Sequence, residues 1–191
     1  MRVANAEHAA RAWVINEIAP DFRLLDVWDL PVEGARDEFG AFLETLGSID
    51  PGLVTRALFW IRSRLGSLLR WDDPSKARPI PGSTETTLRA RLSDELRSSV
   101  DGVPVVARAF APLYLTGDEF AAEISNETVH GVLQFTWIAR GDRYRARLGV
   151  YVKARGALGR AYLVAIQPFR HLIVYPALVR GIGRAWEERA R

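Results

Sequence analysis

The chain has 191 residues, room for one domain, and its 48% hydrophobic and 26% charged residues supply a core and exclude disorder. Its 26 basic and 23 acidic residues leave a net charge of +3, too small a surplus to argue for nucleic acid. The absence of cysteine excludes disulfides, thiolate metal sites, iron–sulfur clusters and a cysteine nucleophile, and it fits a reducing compartment.

Lys76 and Lys153 are the only lysines, so the basic side is almost all arginine, as in a chain from a high-GC genome. The opening MRVANAEHAARAWVINEIAP carries Glu7 and Glu17 and lacks the apolar run of a signal peptide. The longest apolar stretches, Ala161–Ile166 and Leu172–Val179, are separated by Gln167-Pro168-Phe169-Arg170-His171. Each falls short of the roughly 20 residues that span a bilayer, so a cytoplasmic protein is expected.

Residues 4–18 read as a short helix with Asn5 at its N-cap, stopped by Pro20. In Phe22–Leu30 the residues Phe22, Leu24, Trp28 and Leu30 share one side, with Asp26 the polar exception there, and Arg23 and Asp29 take the other. That alternation predicts a strand. Ala35–Leu46 carries Phe39, Phe42, Leu43 and Leu46 at helical spacing. Leu53–Leu69 predicts a second helix, with Asp50 as cap, Pro51 in the first turn and a long apolar stripe. From Leu53 to Trp71 the segment has Arg56, Arg62, Arg64 and Arg70 and no acid, with Phe59, Trp60 and Trp71 nearby. Such a helix packs in the core with a basic outer face, lies on an anionic membrane or presents a partner surface. Residues 72–87, with three prolines and a glycine, predict a mobile loop, and Leu88–Leu96 a short helix.

Val105–Leu115 reads as a strand interrupted by Pro112, hence an edge or bulged one. After a turn at Thr116-Gly117-Asp118, Glu119–Ser125 alternates with Phe120, Ala122 and Ile124 inward and Glu119, Glu123 and Ser125 outward. Val129–Ala139 places Val129, Leu133, Phe135 and Trp137 on one face. Beyond the Gly141-Asp142 turn, Arg143–Ala154 sets Tyr144, Ala146, Leu148, Val150 and Val152 against Arg143, Arg145, Arg147, Tyr151 and Lys153. Alternating strands joined by short turns predict an antiparallel meander with one dry face and one wet face. Residues 157–190 read as a long helix with Leu158, Tyr162, Ile166, Phe169, Ile173, Val179, Ile182 and Trp186 near one side. Pro168 and Pro176 must kink or split it. The helix is expected to pack across the dry face of the sheet.

From Phe120 onward the chain resembles the DUF2867 family, a bacterial domain without an assigned biochemical function. The resemblance is carried by Glu123-Ile124-Ser125-Asn126-Glu127-Thr128-Val129-His130-Gly131 and Gly149-Val150-Tyr151-Val152-Lys153. Its strongest part is Gly159-Arg160-Ala161-Tyr162, continuing through Ala165-Ile166-Gln167-Pro168-Phe169-Arg170-His171 to Leu178. The basic helix around Leu53–Leu69 is also similar, and residues 1–20 and 72–87 match least. The resemblance implies one α+β domain over 1–191, helix-grip-like as in START and Bet v 1-like domains. In such a domain a curved antiparallel sheet wraps a long, here kinked, C-terminal helix, with two helices after the first strand. The family implies no catalytic residues, and the fold offers a cavity between helix and sheet for an apolar ligand.

No P-loop, His-Glu-x-x-His or Gly-x-Ser-x-Gly occurs, and Gly156-Ala-Leu-Gly159 and Gly181-Ile-Gly183 lack the third glycine of a dinucleotide fingerprint. His8, His130 and His171 are too dispersed for metal spacing, so neither metal nor cofactor is expected. His130 is expected to cap or pair beside Glu127. His171, next to Arg170 and near Pro168, either bonds to a neighbouring backbone group or faces the cavity.

The reading that follows is a binding domain for a small apolar or amphipathic molecule. Tyr114, Phe120, Phe135, Trp137, Leu148, Val150, Tyr162, Ile166 and Phe169 are the expected lining, and Arg170 and His171 orient the polar end. An enclosed volume of at least about 300 Å³ is expected. One alternative is a non-catalytic homodimeric, interaction or membrane-surface domain with a filled core, with membrane contact through residues 53–71. The other is an acid–base enzyme acting in the same cavity through His171, His130 or acidic strand residues.

Overall fold

In a computed structural model, residues 1–49, 87–101, 110–125 and 128–189 are described. The expected basic helix Leu53–Leu69, nearly all of the loop at 72–87 and the first half of the expected strand Val105–Leu115 lie outside them. The elements run α1 (Asn5–Ala9), α2 (Val14–Ile18), β1 (Arg23–Gly34), a 3-10 turn (Arg36–Glu38) and α3 (Phe39–Ser48). A second 3-10 turn (Leu88–Arg91), α4 (Asp94–Ser98), β2 (Ala111–Leu115), β3 (Glu119–Ser125), β4 (Val129–Arg140) and β5 (Arg143–Ala154) follow. The chain ends in α5 (Gly156–Phe169), a π turn (Arg170–Val174) and α6 (Tyr175–Arg189). The five strands form one antiparallel sheet in the order β1-β5-β4-β3-β2. An α+β fold with a long helix across an open antiparallel sheet is the helix-grip-like arrangement that the sequence predicts.

Register in the meander follows the alternation. Phe135 pairs with Leu148 and Phe120, and Leu133 with Val150, so these side chains share the helix-facing side. Gly141 adopts a φ of 64°, which lets a two-residue turn join β4 to β5. In β2 the register slips between Pro112 and Tyr114, the bulge that a strand proline demands. β1 also departs from simple alternation, slipping between Leu24 and Asp26. Leu24 therefore sides with Tyr151 on the far face, while Asp26 and Trp28 pair with Val150 and Leu148 on the helix side. The expected grouping of Phe22 and Leu24 with Trp28 is thus corrected by one bulged residue.

On the helix side, Phe39, Phe42, Leu43 and Leu46 of α3 are buried as their spacing predicts. Phe42 stacks on Trp137 at 5.8 Å between ring centroids and meets Phe135 and Trp186 at 6.0 and 6.4 Å. Tyr175 and Ile182 of α6 complete this core. The C-terminal helix touches the sheet region near both of its ends through glycine. A Cβ on Gly159 would run into the Thr128 carbonyl, and one on Gly183 would lie 2.7 Å from the Pro31 ring. One glycine of each pair, Gly159 and Gly183, thus serves close approach, while Gly156 at a φ of 64° turns the chain into α5. The prolines do not break the helix: α5 passes through Pro168, and a π turn joins it to α6. The apolar stretches that the sequence separates are therefore continuous. Gly159–Arg189 is long and apolar enough, by length and composition, to cross a membrane.

The other face of the sheet is not wet, contrary to expectation. Glu119, Glu123 and Arg147 are all buried. Trp13, Ile15 and Ile18 from the N-terminal segment and Leu88 and Leu92 from the 87–101 segment pack over Leu113, Tyr114, Ala121, Val132, Ile138 and Tyr151. The single expected helix at 4–18 is two short ones. Asn5 does not cap it but donates its amide to the Leu24 and Leu25 carbonyls at 2.9 and 3.2 Å. The cap of α2 comes from the sheet, where Glu119 accepts the N–H groups of Val14 and Ile15 at 2.9 and 3.3 Å. Glu123 likewise receives the Leu88 N–H at 3.1 Å, the Thr87 hydroxyl at 2.5 Å and His130 Nε2 at 2.6 Å. Arg147 bonds Asp29 at 2.6 Å and Glu7 at 2.9 Å, so of the three strand arginines Arg143 is exposed, Arg145 half-buried and Arg147 enclosed.

Candidate functional site

Asp26 is the polar exception on the helix-facing side, and the π turn meets it there. His171 Nε2 donates to its Oδ1 at 2.7 Å and the Tyr175 hydroxyl donates to its Oδ2 at 3.0 Å. The Arg170 guanidinium stands 3.3 Å from Oδ2, and the half-exposed Arg2 stands 3.7 Å from Oδ1. Burial of such a carboxylate requires this positive and donating surround. Burial, and then the neighbouring Asp26 carboxylate, push the Tyr175 phenol above its ordinary range, so it remains a donor.

The cluster is not saturated. Trp28 lies beside it, with its ring 5.2 Å from that of Tyr175 and 6.4 Å from that of His171. Its Nε1–H is buried and without a hydrogen-bond partner among the described residues, and so is the Nε–H of Arg170. Of the two ring nitrogens of His171, only Nε2 is bonded among the described residues. Among the described residues, the cluster thus holds two buried donors without acceptors beside a histidine with one ring nitrogen bonded.

The spacing of the π turn explains the convergence. An i→i+5 bond runs from the Tyr175 N–H to the Arg170 carbonyl, which stacks residues 170 and 175 on one face, and His171 precedes Tyr175 by four.

The predicted lining divides into groups. Phe120, Phe135, Trp137, Leu148 and Val150 do line the helix-facing side. Trp137 is engaged by Phe42, Trp186 and the Ala35 carbonyl. Tyr162 and Ile166 pack with Val174 under α5. Tyr114 lies on the opposite face, where the β2 bulge turns it to donate to Glu119 at 2.5 Å. Phe169 points outward and is 37% exposed, because the inner face at that level is taken by Ile166 and Arg170. Both fall outside the space between sheet and helix. Arg170 and His171 are together at Asp26, so His171 takes a side-chain carboxylate rather than a backbone group. Sequence reasoning marked Asp26 as a polar exception without giving it a role in the site, and it missed the parts played by Trp28 and Tyr175. The available signal was the lone carboxylate on an otherwise apolar strand face.

The far-face polar residues form a second connected set. Gln134 donates to Glu119 at 2.6 Å and accepts from His8 Nε2 at 2.7 Å. Burial raises the Glu119 carboxyl above its usual range and lowers the His8 imidazole below its own. These bonds tie the N-terminal covering segment to the sheet. Among the described residues, no group of three or more His, Asp or Glu side chains is placed to hold a metal ion.

Fold and site together define a helix-grip-like α+β domain with a carboxylate-centred polar cluster under its C-terminal helix. The chain belongs to the DUF2867 family, described as a protein of unknown function, whose model matches residues 18–177. No curated protein and no solved structure matches the chain.

Proposed function

We propose that this domain binds a small amphipathic molecule between the sheet and α5, with the polar end of the ligand held at the Asp26 cluster. The observation that carries the reading is a pair of buried donors unpartnered among the described residues, Trp28 Nε1–H and Arg170 Nε–H, beside the His171–Asp26–Tyr175 set. A carboxylate, carbonyl or similar oxygen is the complementary group. The apolar part lies along Phe120, Phe135, Leu148 and Val150 on the sheet and Tyr162 and Ile166 on the helix. Trp137 stands at the filled end of this strip, where α3 and α6 meet the sheet.

Native mass spectrometry of the protein purified from its host tests the reading, together with titration of an apolar fluorophore. The expected result is a retained amphipathic acid or a stoichiometric fluorophore site. Ile166→Trp should weaken that site by filling it, and Trp28→Phe should weaken an acidic ligand more than a neutral one. A bare protein that binds no fluorophore refutes the proposal and favours a domain with a filled core.

A further inference from the structure

Only five large hydrophobic side chains are exposed among the described residues, and four of them, Val164, Phe169, Leu172 and Ile173, lie within ten residues of one helix. Val164 and Leu172 are 70% and 77% exposed, and the small side chains of Ala161, Ala165 and Pro168 fill in the same outer stripe. The inner side is engaged in the domain, since Arg170, His171 and Tyr175 hold Asp26, and Ile182 and Gly183 of α6 are buried. The helix is therefore held along the domain surface with its apolar stripe facing outward.

Charge identifies what covers the stripe. Between Asp142 and Glu187 there is no acidic residue, while nine basic ones occur. Exposed Arg160 and Arg180 bracket the stripe, 20 residues or roughly 30 Å apart at the α-helical rise. A second copy of this chain docked antiparallel on the stripe would set Arg160 against Arg180 with no carboxylate between them. Like charges face each other in that arrangement, which argues against self-association. An apolar strip with cations at both ends and no acid matches the boundary of an anionic bilayer, where side chains enter the acyl region and guanidinium groups meet the headgroups.

We infer that the outer face of α5 and the π turn docks this domain on an anionic lipid surface, with Val164, Phe169, Leu172 and Ile173 inserted and Arg160 and Arg180 on the headgroups. The helix lies in the surface plane rather than crossing it, because its inner face stays bonded to the sheet.

The test is sedimentation of the full chain with vesicles of phosphatidylcholine containing phosphatidylserine, against phosphatidylcholine alone. Val164→Glu/Leu172→Glu alters two exposed positions, so an unchanged thermal melt confirms that the fold persists. The expected result is binding to the anionic vesicles that weakens with salt and falls at least about tenfold in the double variant. Absence of binding, or equal binding by the variant, overturns the inference. Loss of binding in Arg62→Ser/Arg64→Ser, with Val164→Glu/Leu172→Glu unaffected, overturns it in favour of the 53–71 segment. A parent dimer that becomes monomeric in the Glu variant, with no vesicle binding by the parent, overturns it in favour of a second copy.

Discussion

Replacing Asp26 by Asn keeps the shape of the side chain and removes its charge, and it tests whether the cluster is one energetic unit. The carboxylate accepts from His171 at 2.7 Å and Tyr175 at 3.0 Å and faces Arg170 at 3.3 Å. Arg170 and Asp26 are both largely buried, with side chains 12% and 2% exposed, so water screens their attraction weakly. Arg2, at 3.7 Å and 55% exposed, adds little. Losing one partner of a buried ion pair costs about 3–5 kcal/mol, and the retained amide oxygen recovers part of that by accepting one donor. A net loss of about 3 kcal/mol is expected, a fall in Tm of roughly 6–12 °C for a domain of this size. Tyr175→Phe alone should cost about 1 kcal/mol, the value of one hydrogen bond. The double variant should fall short of the sum by at least about 0.5 kcal/mol, because both changes act on the same oxygen. Urea melts of the parent, both single variants and the double variant supply the cycle. A loss below about 1 kcal/mol for Asp26→Asn, or strict additivity, would refute a buried and coupled carboxylate.

The far face yields a pH prediction. Burial holds the folded pKa of His8 below 6.5, so the unfolded chain binds more protons as pH drops through that value and stability is lost on acidification. Between about pH 7.5 and 5.5 the Tm should fall in the parent and fall less in His8→Asn. The raised carboxyl of Glu119 acts with the opposite sign: its contribution is present below the ordinary value of 4.5 and is lost as pH rises through the folded value. Glu119→Gln should therefore flatten the weakly acidic part of the stability profile measured by chemical denaturation. Arg147→Ala leaves the buried Asp29 carboxylate with only the half-exposed Arg140 at 3.8 Å and should cost about 3 kcal/mol in urea melts, with a loss below about 1 kcal/mol contradicting the enclosed pair. Gly183→Ala drives a Cβ into the Pro31 ring at 2.7 Å and should cost about 1–3 kcal/mol. Gly181→Ala meets nothing within 4 Å and should gain up to about 1 kcal/mol of helix propensity, so equal effects of the two would deny the close approach.

The helix-facing half of the fold was legible because its signals are local and repeat. Period-two alternation set the β4 and β5 register, and the Phe39, Phe42, Leu43 and Leu46 spacing set α3. The same alternation misled on the far face, since it separates faces without saying what covers them. Glu119, Glu123 and Arg147 look like solvated positions in a strand pattern. They are buried because segments distant in sequence bring backbone N–H groups and the Glu7 carboxylate to meet them. Nothing in the sequence around Val14 marks a helix whose cap lies 105 residues later. The bulge between Leu24 and Asp26 was equally silent, because one inserted residue changes the phase of a strand without changing its composition.

The site shows the same division between what a sequence displays and what geometry adds. Asp26 stood out as a carboxylate on an apolar face, and Arg170 and His171 stood out as a polar pair beside a proline. Their meeting depends on the π turn, which rests on two absences. Pro168 and Pro176 each remove one backbone donor from the helical ladder and crowd the carbonyl one turn back. Between them the ladder has less to lose by rewinding, and a wider i→i+5 turn eases the crowding at Pro176. In an unbroken α-helix, residues 170 and 175 lie on different faces, and only one of them would reach the sheet beside His171. The wider turn aligns both with Asp26. The prolines thus act less as kinks than as permission for a change of helical period, and that change assembles two cationic or imidazole groups and a phenol around one buried carboxylate.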